Sequence, residues 1–318
     1  MKQAKLLQEF PVPTYEEWRE AAEKSLTGAA FEAKLLSRTY EGITLQPVYR
    51  REDAEGLPHV TGLPGLAPYV RGNRALGYVT RGWEVSQEIS EPAPDAFQRT
   101  AVDALSRGQT MLNLVLDQAA REGRDPQSDP DHLQGSGQTG VGIFTPEDLD
   151  QAFAGISLET VPLYLHAGGL ALPMLTLLIR HLEQTGEDPG KLRGMVGADP
   201  LGTLAETGRL PCSLEQAYRD MAEATSWAAR FAPQLRTVHV QSRPYHNGGA
   251  NVVQDLAFTL AAAVEYVRAL LERGLSIGQI TEKIQFSFSI GGSVFLEIAR
   301  LRAARLLWAT IVEAFGGS

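Results

Sequence analysis

Thr237-Val-His-Val-Gln-Ser-Arg-Pro-Tyr-His-Asn-Gly-Gly-Ala-Asn251, continuing into Val-Val-Gln-Asp-Leu256, is the stretch that decides the fold. A β-prone apolar run, Thr237–Gln241, gives way to turn-forming residues, and a helical pattern starts at Asn251. Asn251 and Gln254 have the N-x-x-Q spacing of a capping box, in which each side chain satisfies the other residue's backbone amide. Val252, Val253, Leu256, Leu260, Val264, Val267 and Leu271 then form one apolar stripe, and Gly274 supplies the stop. The unit is strand, loop, helix.

The same rhythm extends in both directions. β-prone runs recur at Thr110–Leu116, Val161–His166, Gly194–Ala198 and Ile284–Ile290, each followed by a helical pattern, the last over Ser293–Phe315. Strands alternating with helices predict parallel β-structure with crossover helices. Five units between Thr110 and Phe315 take about 41 residues each, and a closed (β/α)8 barrel needs eight. Periodicity leaves two architectures open: an open five-stranded sheet, or a barrel lacking its last three units.

Upstream the texture changes. Residues 1–90 read as an extended N-terminal arm with one short helix, and residues 91–318 as the β/α domain. Thr14 and Glu17 form a second capping box, so a helix is expected from Tyr15 to about Leu26. Tyr40 to Arg50 looks extended, and Gly62-Leu-Pro-Gly-Leu-Ala-Pro-Tyr69 is turn chemistry throughout. Such an arm cannot bury a core by itself and should drape over something else.

Composition bounds the partners. The 318 residues carry 29 Lys plus Arg against 38 Asp plus Glu, a net charge of −9, which argues against a nucleic-acid surface. A single cysteine, Cys212, excludes an intramolecular disulfide framework and a Cys-cluster metal site. No apolar run reaches the roughly 18–20 residues of a membrane span, and the first residues lack a signal pattern. The expected setting is cytoplasmic, with no membrane partner.

Single motifs carry little. Gly135-Ser-Gly-Gln-Thr-Gly-Val-Gly142 has no Lys before its Ser or Thr and no strand upstream, so it reads as a loop rather than a phosphate cradle. The histidines at 59, 132, 166, 181, 239 and 246 form no H-x-x-x-H or H-E-x-x-H pair, so no metal site is expected. His166 and His246 stand out because each falls at the C-terminal end of an expected strand before a Gly-rich loop. That is the end where barrel enzymes gather their ligands. A structural histidine at a barrel rim is the competing reading. Arg300, Arg302 and Arg305 read as a solvated or ion-paired helix face, and Cys212 as an incidental cysteine.

Several segments together resemble the methylmalonyl-CoA mutase family: Tyr69-Val-Arg-Gly72, Arg81-Gly-Trp83 with Gln87, Ser242-Arg-Pro-Tyr-His-Asn-Gly-Gly-Ala-Asn251, Gln254-Asp-Leu-Ala-Phe258 with Val264-Glu-Tyr266, Phe295-Leu-Glu-Ile-Ala-Arg300 and Ala303-Ala-Arg-Leu-Leu-Trp308. The likeness runs in order from about Phe10 to Phe315. It implies a (β/α)8 TIM-barrel fold, here incomplete at about five units. The family's barrel admits an acyl-CoA through its centre and is followed by a cobalamin domain. The implied reaction is a radical rearrangement of a CoA thioester started by adenosylcobalamin.

Departures from the catalytic chains bear on function. Where those chains read Arg-Pro-Trp-Thr-Ile-Arg-Gln-Tyr-Ala-Gly, this one reads Arg81-Gly-Trp-Glu-Val-Ser-Gln-Glu-Ile-Ser90, so Glu88 stands at the active-site tyrosine. Gly197 stands at a substrate-contacting glutamine. Thr207, with Arg209 nearby, stands at the arginine for the substrate carboxylate. His246 matches the family's histidine, in a loop two residues shorter. Gln87-Glu-Ile89, the short Tyr-His-Asn loop and the Phe10-Pro opening resemble the small, non-catalytic subunit of heterodimeric bacterial mutases. The family's Asp-x-His-x-x-Gly cobalamin loop does not occur, so the cobalamin-binding domain is absent from this sequence.

The resemblance therefore implies a structural subunit of an adenosylcobalamin-dependent mutase, with a large catalytic chain as partner and acyl-CoA as a further ligand. Glu88 and His246 are the catalytic candidates. Gln87, Tyr245, Asn247 and Arg209 are the substrate-binding ones. Two alternatives stay open: an acyl-CoA mutase chain of other specificity that uses Glu88 and His246 with a separate cobalamin-domain protein, and a truncated remnant.

Overall fold

Residues 11–57, 59–80, 82–124 and 140–317 are described by a computed structural model. The readings made for Met1–Phe10, Arg81, His132 and residues 135–139 lie outside them. The chain divides into two compact units, residues 1–61 and 62–318, so the division falls inside the stretch read as an arm.

In the first unit, helix α1 (Tyr15–Ser25) starts where the capping box places it. Thr14 Oγ1 accepts from the Glu17 amide at 3.2 Å, and the Glu17 carboxylate accepts from the Thr14 amide at 2.7 Å. Short helix α2 (Phe31–Leu35) and a two-residue antiparallel pair, β1 (Ser37–Arg38) with β2 (Thr44–Leu45), complete it. Thr44–Leu45 is all the strand that the extended reading of Tyr40–Arg50 produces. Phe31 is the one buried apolar residue among the described residues of this unit. Trp18 meets its ring edge-on at 6.0 Å, and the Arg19 guanidinium lies over it at 4.5 Å. Burying one Phe gains about 2–3 kcal/mol, far less than the ordering entropy of some fifty residues.

The second unit is built on a six-stranded parallel sheet. Its elements in chain order are β3 (Glu88–Ile89), α3 (Pro94–Ser106), β4 (Leu112–Leu114), α4 (Gln118–Glu122), α5 (Pro146–Ala152), β5 (Leu163–Gly168), α6 (Ala171–Thr185), β6 (Gly194–Ala198), α7 (Pro200–Thr207), α8 (Leu214–Phe231), β7 (Leu235–Gln241), α9 (Arg243–Asn247), α10 (Val252–Glu272), α11 (Ile277–Lys283), β8 (Ile284–Ser287) and α12 (Val294–Ala314). The strands pair in sequence order, β3 through β8, every pair parallel. An order without reversal is that of a barrel wall; a doubly wound sheet would switch direction at its centre. The fold is a partial TIM-barrel type, and the barrel is not closed, since β3 and β8 do not pair.

Five of these strands lie where the apolar runs predicted them. The sixth, Glu88–Ile89, is too short to show alternation and enters the sheet through its partners Asn113 and Leu114.

Alternation along the strands sorts the two faces. Leu112, Leu114, Leu163, Leu165, Val238 and Val240 are buried in the main core with Phe97, Phe153, Leu175, Met221 and Tyr266 from the surrounding helices. Asn113, Tyr164, His166, His239 and Gln241 interleave with them and face the other way, as a period of two requires. Gly197 on β6 makes room on that inner face. A Cβ there would lie 2.6 Å from His239 Cβ, closer than any relaxed contact.

Polar groups fix the last β/α unit. Lys283 is buried and donates to the carbonyls of Ala232 (3.0 Å) and Pro233 (2.8 Å) just beyond α8; burial pushes its ammonium down to about 8. Arg300 of α12 is buried, donating to Asp255 of α10 and to the Ser289 carbonyl, and pairing with Glu297 at 2.6 Å. Arg305 donates to the carbonyls of Tyr69 (2.9 Å) and Val70 (3.0 Å). Of the three arginines read as a solvated or ion-paired helix face, Arg302 is exposed, Arg305 is half-buried, and Arg300 is ion-paired but buried.

Candidate functional site

The inner face of the sheet is crossed by a chain of side-chain hydrogen bonds. His166 Nδ1 and His239 Nδ1 are 3.0 Å apart. His239 Nε2 lies 2.8 Å from Ser287 Oγ and 3.1 Å from Tyr164 OH, and those two oxygens are 2.8 Å from each other. The Gln241 amide reaches His166 Nε2 at 3.5 Å. With the amide nitrogen donating there, His166 carries its proton on Nδ1 and donates it to His239 Nδ1. His239 then donates from Nε2 to Ser287 and Tyr164. With both rings neutral, every proton in the chain has an acceptor.

Burial agrees with that assignment. Loss of solvent, then Arg243 and Arg121, holds the His166 imidazole down at about 3. Burial, then His166 and Arg243, holds His239 well below the ordinary histidine range. Burial also raises the Tyr164 phenol, with the Ser287 hydrogen bond opposing. Beneath the chain, Asp199 caps α7. Burial lifts its carboxyl to about 6, although it accepts from Tyr266 OH (2.6 Å) and from the backbone amides of Gly202 (3.0 Å) and Gln241 (3.2 Å).

Two cavities flank this chain. The interior one, about 190 Å³, is lined by Glu88, Asn113, Arg121, Tyr164, His239 and Ser289 among others. The mouth cavity, about 550 Å³, is lined by Arg121, Glu122, Arg124, Thr203, Glu206 and Arg209 among others. His166 belongs to both.

The candidates read from sequence do not converge. Glu88 is exposed and lines the interior cavity. Its neighbour Gln87 is exposed and outside that lining, its carbonyl accepting from Gln109 at 3.4 Å. Arg209 lines the mouth cavity, paired with Glu122 at 2.7 Å. Tyr245, His246 and Asn247 line neither cavity. Strand β7 stops at Gln241, and the chain turns into α9, which carries all three. The Tyr245 ring lies 5.5 Å from Phe258, and burial raises its phenol. His166 is where strand-end reasoning placed it.

Tyr164, His239, Gln241, Ser287, Arg121 and Arg243 were not singled out. The first four carried a signal: polar residues at alternate positions inside apolar runs mark an inner face that is not purely structural. Among the described residues no group of three or more His, Cys, Asp or Glu side chains could hold a metal ion. No helix there is long and apolar enough to cross a membrane.

Comparison with known proteins fits this architecture. The family model described as Methylmalonyl-CoA mutase matches residues 38–318. A methylmalonyl-CoA mutase of Cereibacter sphaeroides is 35% identical over 299 residues, covering 94% of this chain and 42% of that protein. The methylmalonyl-CoA mutase small subunit of Streptomyces virginiae is 34% identical over 318 residues, covering 98% of this chain and 47% of the subunit. The large subunit from the same organism is 32% identical over 306 residues, covering 96% and 41%. The chain thus spans less than half the length of these relatives.

Proposed function

The chain belongs to the methylmalonyl-CoA mutase family, and from that premise we propose that it acts as a structural, non-catalytic subunit of an adenosylcobalamin-dependent mutase. In this reading a large catalytic chain interconverts methylmalonyl-CoA and succinyl-CoA, and the present chain supports it as the second member of a heterodimer. Identity to the small and large Streptomyces virginiae subunits is nearly equal, 34% against 32%. The assignment therefore rests on what the inner face of the sheet holds.

The observation that carries it is the hydrogen-bonded chain His166–His239–Tyr164–Ser287. An extended pantetheine needs an open lane along the barrel axis, and on this inner face side chains from three strands are tied to one another beside a cavity of only about 190 Å³. Gly197 stands at the family's glutamine position, and the space beside it holds the His239 side chain. Restoring a glutamine there would require the histidine to leave. Glu88 puts a carboxylate where catalytic chains have a tyrosine, beside a path meant for an anionic substrate.

The alternative, a mutase chain of other specificity, needs Glu88 and His246 to serve one reacting centre. Glu88 lines the interior cavity and His246 does not. Three histidines are already engaged within the chain: His166 and His239 bond each other, and His181 is buried against Asp150 at 2.5 Å. In this reading adenosylcobalamin is held by the partner.

The arm of residues 1–90 would wrap that partner. Within the first unit Tyr40 and Tyr49 are exposed, and within the second Leu66, Tyr78, Val79 and Trp83 are. In this reading the partner covers these side chains, among them Tyr78 and Trp83, whose rings meet edge-on at 5.9 Å. Co-expression with a large mutase subunit, followed by affinity capture and sedimentation, tests the reading. A one-to-one complex is expected; a stable monomer that ignores the large chain would overturn it.

A further inference from the structure

One guanidinium at the mouth of the barrel segment has nothing to answer it. Arg121, on α4, lines both cavities. Among the described residues its buried Nε finds no hydrogen-bond partner, as is also true of Arg124, Arg243 and Arg300, but unlike those three it makes no ion pair either.

The neighbouring carboxylates are engaged elsewhere. Glu122 is shared by Arg124 and Arg209, each at 2.7 Å. Both oxygens of Glu206 accept from Arg243, at 2.9 and 3.0 Å. Glu88, the remaining acid around the two cavities, forms no described ion pair. Among the described lining residues four guanidinium groups thus meet three carboxylates, and Arg121 is the one that makes no ion pair. A half-buried guanidinium with a sealed, unmet Nε–H costs free energy. A purely structural arginine would have an ion-pair partner, as Arg300 has in Asp255 and Arg243 in Glu206.

We infer that the mouth cavity is a binding site for a small oxyanion, the carboxylate of an organic acid or a phosphate group, held by Arg121 with Arg209 at its edge. The planar guanidinium fork matches both groups, offering two parallel N–H donors to two oxygens. The cavity, about 550 Å³, admits a small organic acid whole. This goes beyond the structural-subunit reading, which needs no anion, and holds or fails independently of it.

Thermal unfolding of the full chain in sodium malonate or in inorganic phosphate tests it, with ionic strength held constant by sodium chloride. A saturable rise in melting temperature is expected, and the anion that saturates at lower concentration identifies the source chemistry. Arg121→Gln should weaken that response at least tenfold, whereas Arg302→Gln, at an exposed position on α12, should leave it intact. Without oxyanion, Arg121→Gln should melt no lower than the parent chain. An equal response in Arg121→Gln, no saturable response to either anion, or a loss of stability in Arg121→Gln before any anion is added would each overturn the inference.

Discussion

Lowering the pH should break the hydrogen-bonded chain inside the barrel segment, with a size set by His166. In the unfolded chain His166 titrates near 6.5, and in the fold its imidazole is held down at about 3. The folded state therefore binds fewer protons than the unfolded state across this interval. The stabilisation is complete above pH 6.5 and is lost as pH falls toward 3. At pH 5 about thirty of every thirty-one unfolded molecules carry the proton and almost no folded ones do. Relative to pH 8, that removes about 2 kcal/mol, or roughly thirtyfold in the folding constant. His239, held low by the same burial, adds a loss of the same sign. Urea unfolding of the parent and His166→Gln at pH 8 and pH 5 measures the effect. Glutamine keeps a polar group facing His239 and Gln241 but cannot titrate. The stability gap between the two proteins should shift by about 2 kcal/mol against the parent on going to pH 5. Equal losses in both proteins would show that His166 is not held neutral, and the proton assignment along the chain would fall with it.

Asp199 should act in the opposite sense. Its folded pKa, raised from 3.8 to about 6, means stability is lost as pH rises through that range. Asp199→Asn should gain about 1 kcal/mol on the parent between pH 5 and 7.5, measured by the same denaturant series. Arg300→Met should cost about 3–5 kcal/mol by leaving Asp255 and Glu297 buried without their cation, read as a lowered urea midpoint. Gly197→Ala should cost about 1–3 kcal/mol through overpacking against His239 and Met195, in a strand where alanine would otherwise be tolerated. A neutral Gly197→Ala would mean that the inner face has slack.

What was legible in the sequence depended on locality. The capping boxes at Thr14 and Asn251 involve residues three apart, and both form as spelled out. The runs from Val161, Gly194, Thr237 and Ile284 are long enough to declare themselves as strands. Glu88–Ile89 is two residues long and exists as a strand through its pairing with β4, so nothing in its own composition announces it. The inner hydrogen-bonded chain needs β5, β7 and β8 brought together, and no spacing along one segment predicts that Tyr164 will meet Ser287. His246 looked like a rim residue because the strand before it was expected to carry it there. The short helix α9 intervenes, and its Arg243 is the residue that reaches the cavity. Arg121 was invisible for a different reason: an unpaired charge is a statement about every neighbour.

The account stands on an inner face whose side chains are tied to one another instead of being free to meet a substrate. Its most direct test is turnover: the purified chain, alone, mixed with methylmalonyl-CoA, adenosylcobalamin and a separate cobalamin-domain protein, with succinyl-CoA measured over time. The account predicts no conversion by this chain and conversion once a large catalytic subunit is added. Conversion by the chain without that subunit, at the roughly 1–1000 per second usual for enzymes, would contradict it.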